Sequence, residues 1–318
     1  FAALSAEMMQ GLATEALKNV LADLGSKAQM GIDIVVRNLF ERSADIGFFA
    51  TDAVLARYLS EPGRENVFDD YTGLLAASEL FATTADAAYL DAARRRAASL
   101  VGRLSASGYF VADGVARPFW HASDAGLPVV ALVRYVEVET DAARREAALA
   151  AVRTHLDYLL RVTGEVDNPY GYARQHTGAT AAFFIPQDNE SGYWWQGENA
   201  RLASLAAAAV LGAEAVGATG EDYLALLRFA GHQLDWILGN NPRDLCFLHG
   251  FGRENPPEFS GVKPEVGTLT GGIANGYTGT DGGIQWMAGA ADWEQWRWVE
   301  QWLPHAAWYL VAITALER

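Results

Sequence analysis

Apolar residues recur with the spacing of one helix face along almost the whole 318-residue chain. Between residues 202 and 210 they fall at Leu202, Leu205, Ala206, Ala209 and Val210. That period predicts amphipathic α-helices, and no alternating pattern of the kind that indicates β-strands competes with it. We predict a short helix at 52–59 and long helices at 2–23, 26–42, 67–83, 87–106, 122–137, 141–161, 197–217, 221–238 and 302–317.

Tight turns join many of these helices, whereas two long segments interrupt the pattern. Turns such as Gly25 and residues 217–220 predict helical hairpins in series. The interruptions at 162–196 and 239–300 are rich in Gly, Pro, Asn and aromatic residues, and loops of this length are commonly functional. We therefore predict an all-α fold over 1–318, a single domain built as an α/α toroid with its site among the loops at one end.

Charge and cysteine content exclude several classes of function. The chain has 24 Lys and Arg against 39 Asp and Glu, a formal net charge of −15. This balance argues against binding to nucleic acid or to an anionic membrane surface, and no apolar run approaches the ~20 residues of a membrane span. Because Cys246 is the only cysteine, a disulfide framework and a Cys-based zinc site are excluded.

The sequence predicts no metal site and no cofactor. No pair of histidines has the H-E-x-x-H spacing of a zinc protease. Residues 188–191 (D-N-E-S) are rich in oxygen ligands and could hold a structural calcium ion, but they lack the spacing of a calcium loop. A turn with a helix cap is the preferred interpretation of that run.

Four motifs occur in a fixed order between residues 79 and 317. They are E-L-F-A-T-T at 79–84 with Tyr89-Leu90, D-W-I-L-G-N-N-P at 235–242, F-L-H-G-F-G at 247–252 with N-P-P at 255–257, and G-T-L-T-G-G at 267–272. Together they resemble glycoside hydrolase family 9, the cellulase E type. The resemblance implies a six-hairpin (α/α)6 barrel and inverting hydrolysis of a β-glycosidic bond. In that mechanism an Asp activates water and a Glu protonates the leaving oxygen.

Glu300 takes the position of the general acid in this resemblance. The family's N-E-V-A-L-D-Y-N-A run is similar to residues 299–307 here. Glu300 also has three tryptophans close in sequence, Trp296, Trp298 and Trp302, and apolar surroundings raise the pKa of a carboxyl group. The competing interpretation is a solvated Glu at a helix N-terminus, where the helix dipole favours an acid.

The second carboxylate of the mechanism has no counterpart in the expected position. Nothing like the family's D-A-G-D run occurs between Phe1 and Gly73, and Asp69, Asp70 and Asp113 lie too far along the chain. We therefore expect the catalytic Asp to lie upstream of residue 1, in a barrel whose first part precedes this sequence.

Departures from the family pattern bear on the substrate. The H-H-R run that follows N-P-P in the cellulases is missing, and Arg253 and Lys263 are the nearby cations. The run Y-W-W-Q-G-E-N at 193–199 resembles the exo-glucosaminidase-like branch more closely, which implies a glucosamine-type oligosaccharide beside β-1,4-glucan. We predict substrate contacts from Trp194, Trp195, Glu198, Asn199, Trp120, His121, His249, Arg253, Tyr277 and Trp302.

Two further hypotheses remain open at this point. The same toroid could carry an amino-sugar epimerase or lyase that uses pairs of histidines as acid and base, since a fold does not fix its chemistry. The chain could also be a carbohydrate-binding protein without catalytic activity, which has kept an aromatic cleft and lost the base. In every case the predicted partner is an oligosaccharide or polysaccharide.

Overall fold

The computed structural model describes residues 67–112, 117–118, 121–177, 180–184, 197–258, 268–280, 283–287 and 294–318. Helices predominate there: α1 (Val67–Thr84), α2 (Ala87–Gly102), α3 (Leu127–Val138), α4 (Ala142–Gly164), α5 (Glu198–Val216), α6 (Gly220–Ile237), α7 (Trp296–Val299) and α8 (Leu303–Leu316). The all-α prediction is confirmed. The predicted helices at 2–23, 26–42 and 52–59 lie outside the described residues. Closure into a toroid therefore stays a prediction.

Local sequence explains where several helices begin and end. Asp86 caps α2 by accepting a hydrogen bond from the Ala88 N–H, and Asp141 caps α4 in the same way through the Arg144 N–H. Such caps satisfy amide groups that have no partner within the helix. Gly217 ends α5 with φ 69°, the left-handed conformation that glycine adopts without steric cost.

The predicted helix at 122–137 is interrupted in the structure. Residues Ala122–Asp124 form a 3₁₀ turn, and α3 begins only at Leu127. Pro128 lies in the first turn of α3, a position where the missing N–H costs little but where a preceding turn of α-helix is disfavoured. The prediction of one continuous helix was therefore wrong by one turn.

Helix α5 forms the centre of the described core. It packs against α3, α4, α6 and α8, while α1 packs against α2 and α3. Every residue from Glu198 to Val210 is buried, so α5 is enclosed on all sides rather than on one apolar face. Small side chains allow close contacts: a Cβ atom at Gly126 would lie 1.9 Å from the main-chain oxygen of Ser204.

Two short antiparallel hairpins lie in the long loops. Strand β1 (Gln175–Thr177) pairs with β2 (Thr180–Ala182), and β3 (Thr278–Thr280) pairs with β4 (Gly283–Gln285). The sequence pattern predicted no strands. Three residues are too few to establish a period of two, which is why the pattern did not indicate them.

All described residues belong to one unit of the chain, Leu59–Arg318. The single-domain prediction for 1–318 stays a prediction, since its first 66 residues are not described. Among the described helices, none is both long enough and apolar enough to cross a membrane.

Candidate active site

Glu300 lies at the junction between α7 and α8. It ends α7 with extended backbone angles (φ −62°, ψ 133°), and its N–H donates to the carbonyl oxygen of Trp296 at 3.2 Å. The residue is half-buried. Burial raises the pKa of its carboxyl group, and a hydrogen bond from the Asn275 side chain opposes that rise. A carboxyl group in these surroundings favours the protonated form that a general acid requires.

Main-chain hydrogen bonds join Glu300 to the start of α5. The Asn275 N–H donates to the Glu300 carbonyl at 2.9 Å, and the Asn275 carbonyl accepts from the Asn199 N–H at 3.0 Å. The Asn199 side chain adds a bond from Nδ2 to the Ala274 carbonyl at 2.8 Å. Asn199, predicted to contact substrate, is fully buried and here connects two segments of the protein.

Three rings surround Gly197, the residue that precedes α5. The Trp302 ring lies edge-on to those of His121 and His305, with centroid distances of 5.2 and 5.7 Å. A Cβ atom on Gly197 would lie 3.6–3.7 Å from all three rings. His121 and Trp302 were both predicted as site residues, and the structure brings them together with His305. Trp302 and His305 follow Glu300 by two and five residues in the chain.

Both histidines form hydrogen bonds through Nδ1, and the one made by His305 defines its tautomer. His305 Nδ1 lies 2.9 Å from the Trp302 carbonyl, which can only accept, so Nδ1 carries the proton and Nε2 is an unprotonated acceptor. Burial lowers the pKa of His305 to about 4, and its Nε2 has no hydrogen-bond partner. His121 Nδ1 lies 3.3 Å from the Ser123 amide nitrogen and 3.0 Å from the Ser123 hydroxyl oxygen, and burial lowers the pKa of its imidazole.

Asp124 lies behind His121 and connects this region to α1. Its two carboxylate oxygens accept from the Tyr71 hydroxyl at 2.7 Å and from the Ser123 hydroxyl at 3.1 Å. Burial raises the pKa of the Asp124 carboxyl, and these two hydrogen bonds oppose the rise. The contact between Asp124 and Tyr71, 53 residues apart in the chain, had no sequence signal.

Glu198 faces the protein interior. Only 1% of its side chain is exposed, and its Oε1 accepts from Arg201 Nη2 at 2.6 Å and from the hydroxyl of Tyr172. The sequence predicted that Glu198 would lie beside a sugar, whereas the structure pairs it with Arg201. Arg201, one turn further along α5, is fully buried and requires a counter-charge. Glu198 therefore lies in the core, and we no longer include it among the residues that contact substrate.

The other predicted contacts are spread over several places. Tyr277 is fully buried, with its hydroxyl bonded to Asn241 Oδ1 at 2.8 Å. His249 is half-buried in a loop, where its carbonyl accepts from the Gly271 N–H at 2.8 Å. Arg253 is exposed and forms an ion pair with Asp244. Trp120, Trp194 and Trp195 lie outside the described residues.

The loop that carries the N-P-P motif is closed around Cys246. The Cys246 N–H donates to the Glu254 carbonyl at 2.8 Å, and its thiol is buried. Gly252, with φ +73°, lies so close that a Cβ atom there would be 2.4 Å from Cys246 Cβ. The side chain of Asn255 donates to the carbonyl of Cys246 at 2.8 Å, so the asparagine of this motif organises the loop.

In the described part of the chain, no group of three or more His, Cys, Asp or Glu side chains is arranged to hold a metal ion. Residues 188–191, which the sequence considered for calcium, lie outside that part. The residue that sequence reasoning missed is Asn275, which contacts both Glu300 and the start of α5. Its sequence signal, an Asn-Gly pair, indicated only a turn.

Helices dominate the described residues, and Trp302, His121 and His305 form an aromatic cluster at the start of the helix that follows Glu300. The family model of Glycosyl hydrolase family 9 matches residues 50–260, well over half of the chain. The chain therefore belongs to glycosyl hydrolase family 9, and the resemblance seen in its motifs is confirmed. Its partner is accordingly a carbohydrate. Glu300 lies beyond the matched residues, and the exo-glucosaminidase-like branch stays a prediction.

Comparisons with curated proteins and with solved structures say less about this chain. No curated protein matches the chain. A solved structure of a polysaccharide lyase is similar with 14% sequence identity and a TM-score of 0.45, covering 85% of this chain and 72% of the lyase. At that level of similarity the comparison carries no argument about mechanism.

Proposed function

We propose that this chain is an inverting β-glycosidase in which Glu300 protonates the leaving glycosidic oxygen. The observation that carries the proposal is the position of the Glu300 carboxyl group, half-buried at the α7–α8 junction with its pKa raised by burial. A raised pKa keeps a glutamic acid protonated at the pH where it must donate its proton. The family match supports the reaction class, and the motif around residues 299–307 supports the residue.

For the substrate we propose β-1,4-linked glucosamine-type oligosaccharides, with β-1,4-glucan as the second choice. The exposed part of Trp302, against His121, offers an aromatic surface on which the C–H face of a sugar can pack. The net charge of −15 suits an ammonium-bearing sugar, and the cellulase H-H-R run is missing. Trp120, Trp194, Trp195, His249 and Arg253 remain proposed contacts.

The inverting mechanism also needs a base that activates water. The 318 residues of the chain contain no D-A-G-D run, and we assign no residue of this chain to that role. The experiment that tests the proposal therefore isolates the acid.

The test compares two kinds of substrate with the Glu300→Gln variant. Glutamine keeps the shape of the side chain but cannot donate the proton, so hydrolysis of chitosan or cello-oligosaccharides is expected to fall by about 10²–10⁴-fold. Hydrolysis of a dinitrophenyl β-glycoside is expected to change little, because its leaving group departs without protonation. The matched control is Glu317→Gln, on an exposed residue at the end of α8, which should behave as wild type on both substrates.

The products separate the remaining alternatives. Proton NMR during the first turnovers should show the α-anomer at the new reducing end, as inversion requires. An unsaturated sugar end would indicate the lyase hypothesis, and binding without turnover of any oligosaccharide would leave a carbohydrate-binding protein. If Glu300→Gln keeps full activity on unactivated oligosaccharides, the assignment of the acid is wrong.

A further inference from the structure

Asn275 occupies the point where α5, α7 and the Glu300 segment meet. It is 2% exposed. Its main chain bonds to Glu300 on one side and to Asn199 on the other, at 2.9 and 3.0 Å. The next residue, Gly276, continues the connection through an N–H bond to the Trp298 carbonyl at 3.0 Å. The start of the central helix is thus linked to the backbone of the proposed acid through one residue.

The Asn275 side chain reaches the same turn of backbone. Its Nδ2 donates to the Trp296 carbonyl at 2.7 Å, the carbonyl that also accepts the Glu300 N–H at 3.2 Å. This contact fixes the orientation of the amide, because a flipped amide would place its oxygen against the carbonyl oxygen. The Asn275 side chain also lowers the pKa of the Glu300 carboxyl group, against the rise that burial causes.

The amide oxygen of Asn275 lies in surroundings that are unfavourable for folding. Asn275 Oδ1 is buried and has no hydrogen-bond partner, and a buried polar atom without a partner is unfavourable for folding. A residue selected only for packing would avoid that cost. Helix α7 has four residues, so it cannot by itself hold the orientation of the residue that ends it.

We propose that Asn275 is the positioning residue of the general acid, holding the Glu300 main chain and directing its carboxyl group toward the substrate. The proposal rests on the proposed role of Glu300. Asn275 acts through that residue, so its loss should weaken protonation of the leaving group and leave the other steps of the reaction intact. Misplacement of a catalytic group by about 1 Å can cost on the order of 10²-fold in rate.

The experiment measures kcat and KM of Asn275→Asp and Asn275→Ala with an unactivated oligosaccharide and with a dinitrophenyl glycoside. Aspartate keeps the volume of the buried side chain but has no amide hydrogens, so it remains informative if the alanine variant does not fold. We expect kcat on the oligosaccharide to fall by about 10²-fold with KM little changed. The dinitrophenyl glycoside should be hydrolysed within a few-fold of the wild-type rate.

The matched control is Asn168→Ala. Asn168 Nδ2 also holds two main-chain carbonyls, those of Thr163 and Tyr172, at 3.2 and 2.9 Å, but it makes no contact with the Glu300 segment. Its variant should change both substrates by the same factor. Equal losses on both substrates in Asn275→Asp, or no loss, would overturn the positioning role. If Glu300→Gln affects the oligosaccharide and the dinitrophenyl glycoside equally, the assignment of Glu300 as the acid is wrong. That result differs from a failure of the Asn275 proposal alone, in which Glu300→Gln still affects only the oligosaccharide.

Discussion

At the scale of single residues, the main feature of α5 is an ion pair buried in the core. Arg201 is fully buried, and its Nε and Nη2 atoms both donate to Glu198 Oε1, at 2.9 and 2.6 Å. The ring of Tyr172 lies 5.2 Å from the guanidinium carbon. A buried charge of this kind is tolerated because its counter-charge and hydrogen bonds are present, and removing one partner leaves the other uncompensated.

We therefore predict that Glu198→Ala lowers the free energy of unfolding by about 3–5 kcal/mol, measured by urea denaturation. The control is Glu221→Ala in α6, whose ion pair with Arg228 spans 3.6 Å between largely exposed side chains. That variant should lie within about 1 kcal/mol of wild type. A wild-type unfolding midpoint for Glu198→Ala, combined with weaker sugar binding, would restore the substrate role that the sequence first indicated.

The sequence predicted some of these residues and not others for a physical reason. Glu300 could be proposed as the acid because a motif fixes its place along the chain, which needs no knowledge of packing, and that role stays a prediction. Glu198 was given the wrong surroundings because the direction of a side chain at a helix start depends on what encloses it. The i, i+3 spacing of Glu198 and Arg201 was the available signal for an internal pair.

At the scale of elements, α3 and α5 can approach closely only because a glycine without a side chain lies where they cross. A Cβ atom at Gly126, just before α3, would lie 1.9 Å from the Ser204 carbonyl oxygen. The Gly126 N–H also donates to the Ser204 hydroxyl at 3.0 Å. The two backbones are therefore in direct contact, and neither can move without disturbing the centre of the core.

We predict that Gly126→Ala destabilises the protein by about 3 kcal/mol, seen as a lower unfolding midpoint in thermal denaturation. Gly102→Ala is the control, because a Cβ atom at the end of α2 would meet nothing within 4 Å. That substitution should be neutral or slightly stabilising. Equal midpoints for the two variants would show that α3 and α5 can separate at little cost.

Elements of several turns could be predicted from the sequence, and elements of three or four residues could not. The boundaries of α1, α5, α6 and α8 differ from the predicted ones by at most one residue at each end, because several turns of apolar period define them. Helix α7 and the two hairpins were missed, since three or four residues carry no period. The end of α2 at Gly102, four residues earlier than predicted, follows from the pairing of Leu104 with Phe110.

At the scale of the whole molecule, two buried histidines couple folding to pH. Burial lowers the pKa of both His155 and His305 to about 4, whereas an unfolded chain titrates histidine near 6.5. Between these two values the unfolded state binds more protons than the folded state. Stability therefore falls as the pH decreases from about 6.5 and stops falling from this cause below about 4.

We predict a loss of about 3 kcal/mol from each histidine over that interval, measured by urea denaturation at pH 7, 5.5 and 4. Replacing both residues by glutamine should flatten the dependence between pH 6.5 and 4, whatever its effect on stability at pH 7. An unchanged slope in the double variant would mean that other groups cause the acid sensitivity. The sequence placed His155 inside a helix, but the burial that lowers its pKa is a property of the complete fold.

The closed loop around Cys246 has a practical consequence. Since the chain contains a single cysteine and burial raises the pKa of its thiol, a thiol reagent can react only when the loop opens. The labelling rate of the native protein, divided by that of the unfolded chain, gives the equilibrium constant for opening. Labelling of native Cys246 therefore reports on the opening of the loop that carries the N-P-P motif. The labelling rate can be measured with and without bound sugar, and no residue of the chain has to be changed.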